Sequence, residues 1–151
     1  MTISTRGIAA FKLLLVTLLF AFAGAALAQP ASKSFKDQLV GHWQLVSVGV
    51  NDSSQAYGDN PQGSMFADAA GHYAVIVLST GGARSIALFG TYTVDDADSS
   101  VTLHVDGSNL TDVVGQDVKR FVSLKGDELT ATNQRNGAPI GLVTMVWKRA
   151  N

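Results

Sequence analysis

Beyond position 33 the chain alternates apolar and polar residues in short stretches, separated by clusters of Gly, Asp, Asn and Ser. Period-two patches between turn residues predict strands. Trp43 to Val50, Ser64 to Ala67, His72 to Leu78, Ser85 to Val94, Val101 to Asp106, Val118 to Leu124, Glu128 to Asn133 and Leu142 to Arg149 read as eight of them. Asp68-Ala69-Ala70-Gly71 is a hairpin turn with Gly71 free to take positive φ. Asn51 to Gly63, Gly81-Gly82, Gly107 to Asp117, and the stretch around Asn136-Gly137 and Pro139 read as loops. In 85–94, Ile86, Leu88, Tyr92 and Val94 share one face, and Gly90 marks a bend or a close approach of backbone. The run 72–78 is apolar on both faces, so its pattern does not choose an inward side. Ahead of the strands, Ser34 followed by Asp37, with Phe35, Leu39 and Val40 on one side and Gly41 as a stop, predicts one or two helical turns.

The first 28 residues follow another pattern. Arg6 and Lys12 precede a charge-free run, Leu13 to Ala28, ending in Ala26-Leu27-Ala28. A basic start, an apolar middle and small residues at −3 and −1 are the marks of a secretory signal peptide. The expected organisation is signal peptide over 1–28, a flexible leader over 29–33 and a β-barrel domain over 34–151. The expected location is periplasmic or extracellular, with membrane contact only through the uncleaved signal. Eight up-and-down strands without βαβ spacing most economically close into a small antiparallel barrel, which removes exposed edges; a two-sheet sandwich is the alternative.

Composition narrows the chemistry. No cysteine occurs, which excludes disulfides, thiol catalysis and thiolate metal sites. A net charge of −1 argues against a nucleic-acid partner. His42, His72 and His104 are far apart and lack metal-ligand spacing, so no metal or cofactor is expected. Most aspartates sit in turns, where their oxygens accept backbone N–H bonds. His104 alternates with Leu103 and Val105 and faces either the interior or solvent. Arg120 either pairs with Asp117 or points inward toward an acidic ligand.

Several segments in order carry a resemblance: Leu39 to Ser47 with Gly41-His42-Trp43, Asn60 to Met65, Gly71-His72-Tyr73, Gly90 to Val94, Val101 to Val105, Gly115 to Phe121, Gly126 to Thr130 and Val146 to Arg149. Over roughly 35–149 the chain resembles the lipocalin-like domain family of the calycin superfamily, as a bacterial secreted member. The Asp68 to Gly71 hairpin departs from that pattern in lacking a proline. The resemblance implies a closed barrel with a central cavity, a helix plugging one end, and Trp43 inside with Arg149 over its ring as a structural closure pair. Lys148 is the second candidate for that contact.

The leading functional expectation is carriage of a small hydrophobic or amphipathic ligand in the cavity. The expected lining is Tyr73 or Ile76, Leu88, Tyr92, His104, Arg120 and Met145, with the mouth opposite the helix. Two alternatives stand beside it. One is a cofactor-independent isomerase or cyclase using His104, Tyr92 and Arg120, although no catalytic motif is present. The other is a protein-interaction barrel with a filled core.

Overall fold

The computed structural model describes residues 33–50, 57–58, 60–81, 85–133 and 143–150, which lie in one compact unit, Ser32–Asn151. A short helix, α1 (Phe35–Leu39), precedes eight strands: β1 (Gly41–Val50), β2 (Gln62–Ala67), β3 (His72–Leu78), β4 (Ile86–Asp95), β5 (Ser100–Ser108), β6 (Asp117–Lys125), β7 (Glu128–Thr132) and β8 (Val143–Arg149). Each strand pairs antiparallel with its neighbours in sequence, and β1 pairs with β8, so the sheet is a closed barrel. This is the expected all-β, up-and-down, eight-stranded architecture, and the sandwich alternative falls. Closure satisfies both edges of every strand.

The strand ends differ modestly from the pattern. β1 starts two residues early at Gly41, β2 starts at Gln62 within the expected loop, and β5 runs on to Ser108. A 3-10 turn over Thr111–Val113 occupies what reads as plain loop. The helix begins where the sequence indicates: Ser34 Oγ accepts from the Asp37 N–H at 3.0 Å and donates to Asp37 Oδ2 at 2.6 Å. The expected loop segments 51–56, 82–84 and 134–142 lie outside the described residues.

Two bulges decide which side chains point inward. Leu45 pairs with Trp147 and Ser47 with Val146, leaving Val46 as an extra residue on β1. Inward positions shift from Trp43 and Leu45 to Val48 across it, while Val46 is exposed. On β5, Asp106 is the extra residue between Val105, opposite Gly90, and Gly107, opposite Phe89. A Cβ on Gly90 would collide with the His104 carbonyl oxygen and crowd the Asp106 nitrogen. The close backbone approach expected at Gly90 is therefore present, and it is the bulge itself.

The β2–β3 turn is tied to β4. Gly71, at φ +96°, donates its N–H to Asp68 O, and the Gly71 carbonyl accepts from the Tyr92 N–H at 2.7 Å. The Tyr92 hydroxyl donates to Asp68 O at 2.8 Å. Asp68 also accepts from the His72 backbone N–H at 2.8 Å, and this bond first, then the His72 ring, holds its carboxyl below the usual aspartate range. These contacts fix the β2–β3 turn against β4.

Trp43 and Trp147 are fully buried at the helix end, with Leu39, Leu129 and Tyr92 in the same apolar cluster. The Arg149 guanidinium lies 4.2 Å from the Trp43 ring centroid. Its Nη atoms donate to the carbonyls of Val40 at 2.9 Å and Gln38 at 2.6 Å, and its Nε lies 3.4 Å from Asp127 Oδ1. One side chain thus caps the end of α1, covers the indole and joins the last strand to the first. Gly41 makes room for it: a Cβ there would sit 2.8 Å from Arg149 Nη1, and its φ of +140° suits only glycine. Arg149 rather than Lys148 makes the contact; Lys148 faces solvent.

Candidate functional site

Inside the barrel is a cavity of about 110 Å³. Inward positions of seven strands line it, and Leu39 of α1 closes it at the helix end. β2 contributes Met65 and Ala67; β3 contributes Tyr73 and Val75; β4 contributes Ile86, Leu88 and Tyr92. Val101 and Leu103 come from β5, Arg120 and Val122 from β6, Leu129 and Ala131 from β7, and Val143, Met145 and Trp147 from β8. The wall is overwhelmingly hydrocarbon and aromatic, with two tyrosine hydroxyls and one guanidinium. The loops joining β1 to β2 and β7 to β8, where a mouth opposite the helix would lie, are mostly outside the described residues.

Of the lining expected from the sequence, Tyr73, Leu88, Tyr92, Arg120 and Met145 are brought together around this cavity. Ile76 and His104 are not. Ile76 is on the outer face of β3 and exposed, because the row Tyr73, Val75 and Val77 turns inward. A shift of one residue exchanges the two apolar faces of that strand, and pattern alone cannot choose between them. His104 points outward because Val101, Leu103 and Val105 hold the inner positions of β5. Its Nδ1 lies 2.8 Å from Asp117 Oδ1, and its Nε2 lies 3.8 Å from Asp106 Oδ1. The proposed His104, Tyr92 and Arg120 set therefore does not converge: His104 is outside, and the Tyr92 hydroxyl is engaged by the Asp68 carbonyl.

Arg120 is the cation of the cavity wall among the described residues. It sits opposite Val101 on an inward position of β6, between Val118 and Val122. Asp117, taken by His104, does not pair with it. Its Nη1 donates to the Lys119 carbonyl at 3.0 Å, and among the described residues no carboxylate forms an ion pair with it. Burial pushes the guanidinium below its ordinary value; nearby Tyr57 and Tyr73 act in the opposite direction. The Tyr73 hydroxyl donates to the His104 carbonyl at the β5 bulge, at 3.3 Å. Burial pushes the Tyr73 phenol up to about 12, with Asp106 adding to the rise and Arg120 opposing it. A recessed guanidinium in an apolar wall can hold a planar anion through two parallel N–H bonds.

Sequence reasoning missed Tyr57, which is buried although it stands in a polar loop. A lone aromatic among Gly, Asp, Asn and Ser was the available signal. It also missed Met65, Val75, Ile86, Val101, Leu103, Val122 and Leu129 as wall residues. For β5 that information was present, since Leu103 shares a face with Val101. Among the described residues no cluster of His, Asp or Glu could hold a metal ion.

An eight-stranded up-and-down barrel, plugged by a short helix and enclosing an apolar cavity, is a lipocalin-like fold. Residues 78–150 match the family model of the lipocalin-like domain, a segment that carries β4 to β8 and the Arg149 closure. No curated protein matches the chain.

Proposed function

We propose that this protein is exported and carries a small, partly hydrophobic molecule in its barrel. The observation that supports it is the apolar cavity with the inward guanidinium of Arg120. Each ligand CH₂ buried there gains about 0.8 kcal/mol. The test is displacement of a fluorescent hydrophobic probe by candidate ligands. Saturable probe binding near one per chain is expected, and no binding by well-folded protein would reject carriage. Export is supported by the charge-free run Leu13 to Ala28 with its Ala-x-Ala ending. N-terminal sequencing of secreted or periplasmic protein is expected to begin at Gln29. Retention of residues 13–28 in a membrane-bound product would overturn that reading.

A further inference from the structure

We infer that the ligand is a single-ring aromatic carboxylate, its carboxylate held by Arg120 and its ring by the apolar wall. The inference rests on the carrier reading and adds charge and size to it. Size comes from the cavity. At about 110 Å³ it is somewhat smaller than the apolar cavity of about 150 Å³ known to accept benzene. Such a volume favours one ring over an extended acyl chain. One ring with a short polar group matches the space once the long, adaptable Met145 and Arg120 side chains adjust. A ring also loses little conformational freedom on binding, and Tyr73, Tyr92 and Trp147 offer it aromatic faces and edges.

Charge comes from Arg120. A guanidinium turned into an apolar interior is costly when nothing of opposite charge meets it. Its Nη1 donates to the Lys119 carbonyl, which occupies one of its five N–H groups, and among the described residues no carboxylate pairs with it. It does not shed its proton near neutrality. A carboxylate fits the planar fork and supplies the missing charge. The Tyr73 hydroxyl, on a long 3.3 Å bond to the His104 carbonyl, is a second donor within the same wall.

The experiment compares benzoate, benzamide, toluene and decanoate by calorimetry or ligand-observed NMR at neutral pH. It uses the purified protein and its Arg120→Met and Arg120→Lys variants. Benzoate is expected to bind at least tenfold more tightly than benzamide. Arg120→Met should abolish that preference, so that benzoate and benzamide bind alike, and Arg120→Lys should retain part of it. The melting temperature of Arg120→Met should not fall, because removing an uncompensated cation relieves the fold; a structural arginine would give a clear loss. Equal affinity for benzoate and benzamide in the wild type overturns the anion assignment while toluene binding upholds the carrier reading. Decanoate binding more tightly than benzoate overturns the single-ring assignment. Failure of all four to bind the folded protein overturns both readings.

Discussion

At the residue scale, two side chains have consequences that can be measured separately. Arg149 combines a cation over an indole with two charge-assisted bonds to the Val40 and Gln38 carbonyls. Arg149→Ala is expected to cost about 2–4 kcal/mol, read as a fall in melting temperature or denaturant midpoint. Arg149→Lys should recover only part of it, since a lysine cannot reach both carbonyls with a planar fork. No change in either variant would mean that the contact is not what closes the barrel. Tyr73 tests the interior through its proton. Its folded pKa, about 12, lies above the ordinary tyrosine value. Its contribution is therefore fully present below the ordinary value and is lost as pH rises toward the folded one. Tyrosine absorbance titrated against pH should show a late step that disappears in Tyr73→Phe, and the wild type should lose stability across that window. Asp68 has the opposite sign. Its folded pKa is lowered, so its contribution holds above the ordinary aspartate range and fades as pH falls through the lowered value.

At the element scale, the bulges carry the weight of the geometry. Gly90→Ala places a methyl group against the His104 carbonyl where β4 and β5 are closest. It is expected to destabilise the protein by about 3 kcal/mol, checked by chemical denaturation. A neutral effect would show that the two strands can separate there without loss. The bulges also mark how far the sequence could be read. Turn residues and the alternation in β4 were legible, and they put Leu88 and Tyr92 on one face, whereas in β6 the pattern left Arg120 open between Asp117 and the interior. The extra residues Val46 and Asp106 were not legible, because an apolar pair such as Leu45-Val46 looks the same with or without a bulge. The inward phase of β3 was illegible for a related reason: both its faces are apolar, and only pairing with Gly90 opposite Tyr73 selects one. The outer face keeps Ile76, Leu78, Phe66 and Phe89 in solvent. His104 lay within reach of the pattern, since Val101, Leu103 and Val105 already formed the inner row.

At the scale of the whole molecule, size and charge of the cavity follow from the ring of strands rather than from any one residue. Eight short strands leave an interior that side chains nearly fill, and the remaining space is what a ligand can use. The same ring has one uneven joint. Seven of its ladders connect strands that are consecutive along the chain, whereas β1 meets β8 only after almost the entire domain has been traversed. Closing that span restricts the longest loop in the molecule, so it is entropically the most demanding contact to make early. The hairpins are therefore expected to assemble first, with the β1–β8 seam completed after the rate-limiting step. Stopped-flow measurements on Arg149→Ala should show faster unfolding and an almost unchanged folding rate, whereas Gly90→Ala, inside a local hairpin, should slow folding. Trp43, buried at the seam, can report the moment of closure through its fluorescence.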